Sequence, residues 1–553
     1  MEKFIFSQIN IVNLPGWLLA YWMNKDFISM FMENRKIGDI YELNSGIKTG
    51  NNDLFLRLWH EVNYSKIFLS SQKNTSISSY KWFFYNKGGG YKKWYGGYEY
   101  VINFEKNGDQ IKKNISKSIY RLRNPENYFK EAIIWPLIGD VRFSARVMPS
   151  NVLPDVSCNA IFLNNLELLG YMNSTVFNEC MKFINSTVSY PIDSVASVPY
   201  KEIRNKQIQE LCIENINFVK MDCDEKETSW GFLKHPLVGG VYMGKLLSDK
   251  YNQYKNRTLE RFYKLKENEE EINKIFLKIY EIGSQVNYEI NESNISIKKP
   301  NIVEDIKSLL SYLVGIEMGR YSIDVDGIAY AGGIWNNMNY ITYQPDDDGI
   351  IPIYLNMGME DSLTSRIIGL IKQVYGEDTY RENIDFIADA LGKKNNESSE
   401  ETLNRYLNED FYNDHVKMYQ KRPIYWMFSS GKKNAFKCLI YMHRYSEDTL
   451  AIINSRYFLN ESARLNIEVN DTRLQLETAE GKDKLRLEKQ YRELLEKQKE
   501  MIEYGQVLDH MANHYIHLDL DDGVKVNYAK FQEIEIVNDN GTKVKKDLLV
   551  PIK

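Results

Sequence analysis

Residues 80–104 read YKWFFYNKGGGYKKWYGGYEYVINF and set the character of the first part of the chain. They hold 11 aromatic residues among 25, together with two glycine clusters at which the backbone can turn tightly. Alternating runs such as Tyr98–Phe104 are typical of strands. We therefore expect a β-rich domain around this stretch, over residues 41–205.

The same region is rich in positive charge. Between Lys81 and Arg146 there are 13 Lys and Arg against six Asp and Glu, a balance of +7. The whole chain of 553 residues carries −5, so the other residues sum to −12. This charge excludes a uniformly basic nucleic-acid binder but allows a local patch, because cations neutralise phosphates and aromatic rings stack on bases. A β-rich core bordered by lysines is the alternative, and composition alone leaves both open.

Composition divides the chain into four segments, and the predicted fold class is α+β. An N-terminal linker and helix cover residues 1–40, and the β-rich domain follows. Residues 206–400 are a helical connector with a mixed α/β region. Residues 401–553 are a C-terminal helical region with terminal strands.

Two features mark the last segment. Residues 456–512 have the spacing of two charged helices broken near Gly481, which predicts a hairpin that is either solvated or an arm for a partner. The turn residues Asn538-Asp539-Asn540-Gly541 predict a pair of terminal strands, Tyr528–Val537 and Lys543–Ile552.

The sequence predicts a soluble, cytoplasmic protein. No stretch approaches the ~18 apolar residues of a membrane span, and the first residues alternate polar and apolar side chains, unlike a signal peptide. Five cysteines in so long a chain form no disulfide framework.

A loop with two glycines, Ser45–Asp53, is a second candidate site. Its small polar residues and Lys48 suit a phosphate held by backbone N–H groups, although such a loop taken alone is more often a plain turn. It is not a Walker A motif, because Lys-Ser/Thr does not follow the second glycine.

Several motifs occur together along the chain: SGIKTGNNDLFLR at 45–57, KWFFYNKGG at 81–89, KWYG at 93–96, YFKE at 128–131, LLGYMNS at 168–174, KRPIYW at 421–426, YMHRY at 441–445 and LDLDDGVKVNY at 518–528. This set resembles the C-terminal half of PglX-type adenine-specific DNA methyltransferases of BREX phage-defence systems. The target-recognition regions of type IIG restriction-modification enzymes are more distantly similar.

The resemblance implies a target-recognition domain over residues 41–205 that binds double-stranded DNA. It implies DNA contacts by sixteen residues: Lys48, Thr49, Asn51, Asn52, Arg57, Lys81, Trp82, Tyr85, Asn86, Lys87, Lys92, Lys93, Trp94, Tyr95, Arg142 and Arg146.

One departure from the family pattern concerns catalysis. The chain has 13 prolines but no Pro-Pro pair, so the Asn-Pro-Pro-Tyr/Phe motif that holds a flipped adenine is absent, as is an Asp-Pro-x-x-Gly-x-Gly loop. We therefore assign no catalytic, cofactor-binding or metal-binding residue to this chain. We expect S-adenosylmethionine on a catalytic partner domain. The expected partners are double-stranded DNA and either a catalytic methyltransferase half or other BREX components. Whether the chain is itself an enzyme stays open.

Other classes of function remain alternatives. The chain could be a non-enzymatic DNA-binding or assembly subunit of a defence complex, or a degenerate remnant. A nuclease is disfavoured because no carboxylate-lysine motif is present. His510, His514 and His517 share a helical face and with Asp519 could bind a metal, but histidines at a helix C-terminus also interact favourably with its dipole.

Overall fold

The computed structural model describes residues 25–69, 79–140, 142–185, 187–283, 286–354, 361–537, 541 and 543–552. About 50% of the chain is helical and 12% lies in strands, so the predicted α+β class is confirmed. The chain forms two compact units. The first comprises the described residues of Met1–Trp59, Lys66–Phe232 and Lys255–Pro300, and the second those of His60–Ser65, Leu233–Tyr254 and Asn301–Lys553. The four-segment division drawn from composition stays a prediction.

Two four-stranded sheets form the β part of the first unit. One has the strand order Asn44–Ser45, Cys158–Ile161, Ala132–Pro136, Arg146–Met148, and every pair is antiparallel. The other has the order Leu56–Leu58, Tyr100–Asn103, Trp82–Asn86, Val152–Pro154, with only the last pair parallel.

The aromatic stretch forms the core of the second of these sheets. All five residues of Trp82–Asn86 are buried, as expected for a strand covered on both faces. Phe83 packs at 6.1 Å and 5.6 Å, centroid to centroid, against Phe104 and Phe129. The Phe83–Phe104 pair is edge-on, and pairs of this kind stabilise a core beyond the area they bury. The density of aromatic residues is therefore largely a packing feature.

Polar side chains cap several helices of the first unit, such as Asn165 and Ser174. The spacing of residues 165–185 predicts one helix, but the structure has two, Leu166–Met172 and Thr175–Ile184. The break occurs because the Ser174 hydroxyl accepts a hydrogen bond from the Phe177 N–H and so starts a new helix. The first unit also contains helices Lys25–Glu33, Ile37–Ile40, Asn52–Phe55, Glu105–Asn114, Ile192–Ala196, Lys206–Asp224 and, from Lys255 onward, Leu247–Ile279.

The second unit packs helices around a small antiparallel sheet. Strand Lys437–Tyr441 lies between Tyr425–Ser429 and Ile350–Pro352. The main helices are Ile302–Glu317, Leu363–Tyr375, Tyr380–Ala390, Ser399–Arg405, Phe411–Met418, Thr449–Ile452 and Gly523–Ala529.

The predicted hairpin is present as helices Leu459–Thr478 and Gly481–Ala512. The predicted terminal strands pair antiparallel but are shorter, Ile534–Val537 with Lys543–Lys546, because Tyr528 lies in the preceding helix. Of their predicted turn, Asn538, Asp539 and Asn540 lie outside the described residues, as do predictions for residues 1–24.

Candidate nucleic-acid interface

The glycine loop of the first unit lies beside a basic segment that follows the helix Glu105–Asn114. The Lys48 N–H donates to the Arg121 carbonyl at 2.9 Å, and the Arg121 N–H donates back at 2.8 Å. Arg123 donates from its guanidinium to the Ser45 hydroxyl at 3.0 Å. Lys48, Lys117, Arg121 and Arg123 are all exposed, and we call these four residues the basic ledge.

Buried neighbours hold this loop in place. The side chain of Ile47 is fully buried, its N–H donates to Pro154, and its carbonyl accepts the Tyr85 hydroxyl at 2.7 Å. Gly50 has φ +82°, and a Cβ there would lie 2.8 Å from the Ile115 side chain. A larger residue at Gly50 would therefore be strained and would push the loop away from the segment that carries Lys117 and Arg121.

Electrostatics make the ledge unusual. Lys48 and Arg121 are direct partners in an antiparallel bridge, an arrangement in which like charges destabilise the pairing. Within the described part of the chain, no acidic side chain forms an ion pair with either of them. Two exposed cations on directly paired residues are a site at which an anion, such as a phosphate, would relieve the repulsion.

Half of the residues predicted to contact DNA are exposed or partly exposed. Lys48 lies on the ledge, and the Asn51 side chain caps the helix Asn52–Phe55. Arg57 donates to the carbonyls of Asp53 and Leu56. The others in this group are Asn52, Lys81, Lys87, Lys92 and Arg142.

The other half are buried, and their side chains are engaged in internal contacts. They are Thr49, Trp82, Tyr85, Asn86, Lys93, Trp94, Tyr95 and Arg146. A buried side chain does not reach a groove unless the domain opens, so these residues fit a framework role. The DNA contacts of these eight residues stay a prediction.

A buried ion pair accounts for two of them. Lys93 Nζ lies 2.7 Å from Glu269 Oε2, and Trp94 Nε1 donates to Glu269 Oε1 at 2.6 Å. Burial alone would lower the pKa of Lys93, but attraction to Glu269 outweighs it and raises that pKa. The pair joins the glycine-rich segment to the helix Leu247–Ile279.

A second buried network involves Tyr85, Asn86 and Arg146. Arg146 is fully buried and donates to Asn86 Oδ1 at 3.1 Å, and Asn86 Nδ2 donates to the Gly97 carbonyl at 3.0 Å. The Tyr85 hydroxyl lies 2.6 Å from Asp155, and burial together with that carboxylate raises the pKa of Tyr85. The Tyr85 hydroxyl also donates to the Ile47 carbonyl, and this bond couples the aromatic strand to the loop that carries Lys48.

Two cavities of the first unit adjoin predicted residues. One, of about 270 Å³, brings Lys93 and Arg142 together. The other, of about 190 Å³, is lined by Lys92 and Tyr95. Glu269 neutralises Lys93 and Glu99 neutralises Lys92. Each cavity therefore presents fewer uncompensated positive charges than the ledge does.

The structure adds Lys117, Arg121 and Arg123 to the candidate residues. Sequence reasoning counted them in the local charge but did not single them out. The run of cations from Lys112 to Arg123, which contains no acidic residue, is the signal that would have identified them.

Among the described residues, no group of three or more His, Cys, Asp or Glu side chains is arranged to hold an ion. The His517 ring lies 3.1 Å from the Glu447 carboxylate, and the His514 ring contacts the His510 carbonyl.

Comparison with known proteins adds sequence relatives. No family model matches the chain. The adenine-specific methyltransferase PglX of Lacticaseibacillus casei strain Zhang is 35% identical over 544 residues, or 95% of this chain. This chain is homologous to part of that protein. The adenine-specific methyltransferase BrxX of Escherichia coli O9:H4 strain HS is also 35% identical, again over 95% of the chain. The chain spans 45% of the length of each relative.

Structural similarity is weaker. The type IIL restriction-modification enzyme MmeI, solved in complex with DNA, aligns with 47% of this chain and 35% of that one, at 12% identity and a TM-score of 0.27. A score this low supports no conclusion about fold or function. The helices of the described residues include none that is both long and apolar enough for a membrane span.

Proposed function

We propose that this chain is the DNA-recognition part of a BREX-type adenine-N6 DNA methyltransferase. The observation that carries the proposal is the similarity of 95% of the chain to less than half of two adenine-specific methyltransferases. The missing Asn-Pro-Pro-Tyr/Phe motif fits the same view. S-adenosylmethionine and the chemistry of methyl transfer would belong to a catalytic partner domain, and the complete enzyme would act on double-stranded DNA in the cytoplasm.

In this proposal the basic ledge grips the DNA backbone. Exposed Lys and Arg side chains release counterions when they neutralise phosphates, which supplies affinity and register but no sequence information. Base readout then falls to exposed polar side chains near the ledge, of which Asn51 and Asn52 are the nearest in the chain to Lys48. The buried aromatic strand keeps these elements in place.

A charge-removal variant tests this role. We expect a chain with Lys48, Lys117, Arg121 and Arg123 all changed to Ala to bind a mixed-sequence DNA duplex more weakly at low salt. Each lost phosphate contact should also reduce the slope of log K against log salt by about 0.9. Fluorescence anisotropy across a salt series measures both quantities.

The helical hairpin offers a matched control. Changing Lys482, Lys484, Arg486 and Lys489 to Ala removes the same four charges from exposed positions of the second unit. We expect affinity and salt slope to stay near those of the wild type. Equal losses in both variants would mean that net charge, rather than the ledge, determines binding.

The second candidate function is an assembly subunit that does not bind DNA. Three exposed apolar residues of the helical hairpin are the observation that favours it, namely Ile467, Leu474 and Leu485. No measurable DNA binding by the wild type at low salt would support this alternative. Binding of S-adenosylmethionine by the isolated chain, measured by calorimetry, would contradict the assignment of the cofactor to a partner.

A further inference from the structure

One of the two cavities that adjoin predicted DNA contacts has a volume of about 270 Å³, and we call it the polar cavity. Its wall combines the glycine-rich segment, the segment before the strand Arg146–Met148, the helix Thr175–Ile184 and a loop that follows the helix Leu247–Ile279. Its charged and hydroxyl-bearing side chains include those of Tyr91, Lys93, Arg142, Thr175, Lys182 and Glu289. The volume is near the lower end of the ~300–1,000 Å³ found for small-molecule sites, and a single phosphate group would fill only part of it.

Amide side chains hold the wall of the polar cavity in place. Asn178 Oδ1 accepts the Phe143 N–H at 2.9 Å. Asn273 Oδ1 accepts the Thr175 N–H at 2.9 Å, and Asn273 Nδ2 donates to the Tyr288 carbonyl at 2.8 Å. These bonds fix the two chain segments that carry the charged groups of the wall. A site that is ordered before binding loses less entropy when its ligand arrives.

Two charged side chains of the polar cavity differ from the others. Lys93 has its buried carboxylate partner, and Lys182 Nζ lies 2.6 Å from an acidic residue of its own helix. Within the described ranges, Arg142 and Glu289 form no ion pair, and the Glu289 carboxylate accepts only a long contact of 3.5 Å from Asn287. One positive and one negative charge are thus left without an ionic partner. Together they favour a neutral ligand with both acceptors and donors over a free anion.

Two hydroxyl groups of the wall add hydrogen-bonding capacity. The Thr175 Oγ1 atom is buried and has no hydrogen-bond partner among the residues that the structure describes. The Tyr91 hydroxyl is buried in the same way. Burial raises the pKa of Tyr91 and the nearby Lys93 ammonium offsets part of that rise, so the hydroxyl stays protonated and can donate. Buried polar groups are normally hydrogen-bonded, and a polar ligand would satisfy both hydroxyls.

Guanine is the nucleobase whose edges match these two charges. Its O6 and N7 atoms both accept on one edge, which an arginine recognises with two hydrogen bonds. Its N1–H and N2–H groups both donate on the opposite edge, and an ionised carboxylate has two oxygens that accept. Adenine places a donor beside N7, so an arginine gains only one bond there, and the pyrimidines have no N7.

We propose that the polar cavity binds one unpaired guanine base, with Arg142 on O6 and N7 and Glu289 on N1–H and N2–H. The base is unpaired because in a duplex its donor edge is occupied by cytosine. The guanine comes either from a nucleotide that has left the DNA stack or from a free nucleotide. This inference goes beyond the proposed function, since the site would exist whether or not the basic ledge binds DNA.

Binding of free nucleotides by the full chain is measured by isothermal titration calorimetry. We expect guanosine monophosphate (GMP) to bind about tenfold more tightly than adenosine monophosphate (AMP), since adenine offers Arg142 a donor where guanine has O6. 7-Deaza-GMP lacks N7 and inosine monophosphate lacks the N2 amino group, so each should bind more weakly than GMP. Measurable binding of GMP and AMP with equal affinity would overturn the proposal.

Three variants assign these contacts to side chains. Arg142→Ala should weaken GMP binding by about tenfold or more and abolish the difference between GMP and 7-deaza-GMP. Glu289→Ala should abolish the difference between GMP and inosine monophosphate. Thr175→Val should weaken GMP binding several-fold without lowering the melting temperature, because the hydroxyl that it removes bonds no other described residue.

Matched controls separate the cavity from a general effect of charge. Arg204→Ala and Glu42→Ala remove the same two charges from exposed positions of the first unit that do not line the polar cavity. Both controls should bind GMP as the wild type does. Equal weakening in a control and in the corresponding cavity variant would overturn the proposal.

A pair of DNA duplexes distinguishes the two sources of guanine. The duplexes share one sequence, but one of them carries a single unpaired guanine in a bulge, and fluorescence anisotropy measures both affinities. A preference for the bulged duplex that Arg142→Ala abolishes identifies DNA as the source, whereas selective binding of GMP without that preference identifies a free nucleotide. If the wild type neither prefers the bulged duplex nor binds GMP, the proposal fails.

The ledge variant keeps this proposal distinct from the proposed function. Removing the four cations of the basic ledge should weaken binding of both duplexes and leave the affinity for GMP unchanged. If the ledge variant keeps its DNA affinity, the proposed function fails while the guanine site still stands on the calorimetry. If the ledge variant loses DNA and the wild type shows no selectivity for guanine in either assay, only the guanine site fails.

Discussion

Lys93 is predicted to contact DNA, but it forms a buried ion pair with Glu269, and removing that pair tests whether Lys93 is part of the core instead. We expect Glu269→Ala to destabilise the first unit strongly. Removing one member of a buried ion pair costs about 3–5 kcal/mol, because the remaining charge stays buried without a partner. The Trp94 indole N–H also loses its acceptor, which adds about 1–3 kcal/mol.

Hydrogen exchange with mass spectrometry measures this effect in each unit separately. A loss of about 4 kcal/mol corresponds to roughly a thousandfold loss of protection in peptides from the strand Trp82–Asn86. Peptides from the strand Tyr425–Ser429 of the second unit should keep their protection and serve as an internal control. A decrease of less than about tenfold in the first strand would refute the argument.

A double variant then tests the functional consequence. Lys93→Met with Glu269→Gln removes both charges and keeps an oxygen acceptor for the Trp94 N–H. Replacing a buried ion pair by groups of similar volume is often nearly neutral, so protection should return to within about tenfold of the wild type. DNA affinity should then equal that of the wild type. A restored fold with lost DNA binding would instead make Lys93 a contact residue.

Two further predictions concern single positions. Gly97→Ala should destabilise the first unit by about 1–3 kcal/mol more than Gly89→Ala. Both glycines have φ between +80° and +90°, but only at Gly97 would the new Cβ lie close to another residue, 3.1 Å from the Arg146 side chain. Equal hydrogen-exchange rates in the first unit of the two variants would contradict this prediction. In the second unit, burial raises the pKa of Glu317 from 4.5 to about 7. Between pH 4.5 and 7 the folded state therefore holds one more proton than the unfolded state, so the free energy of unfolding decreases as pH rises through this range. Glu317→Gln should remove about 3 kcal/mol of this decrease, measured by unfolding at a series of pH values.

The sequence was informative where the signal is local. The spacing of apolar residues predicted the helical hairpin, and the structure confirms it as Leu459–Thr478 with Gly481–Ala512. The break between Leu166–Met172 and Thr175–Ile184 was missed, because a serine cap inside an apolar helical pattern does not disturb its periodicity. Local patterns thus predict elements better than their boundaries.

The sequence was less informative about which side chains face solvent. A contiguous aromatic run such as Trp82–Asn86 is compatible with a strand buried on both faces and with a stacking surface, and periodicity does not separate the two. Lys92 and Lys93 are adjacent, yet the first is partly exposed and the second is buried. That difference depends on Glu269, 176 residues away from Lys93 in the chain.

The ledge arises in the same non-local way, and it changes where the positive charge of residues 81–146 acts. Lys93 is neutralised by Glu269 and Lys92 by Glu99, so these cations contribute little field beyond the protein. The exposed positive charge next to Lys48 is instead extended by Lys117, Arg121 and Arg123. Lys48 itself lies outside residues 81–146, over which the charge was counted. A phosphate approaching the first unit would therefore meet the positive side chains of Lys48 and Arg121, whose backbones form a bridge and whose charges are not neutralised by an acidic residue that the structure describes. The nucleic-acid surface that composition suggested is thus best sought at the edge of the aromatic core and not within it.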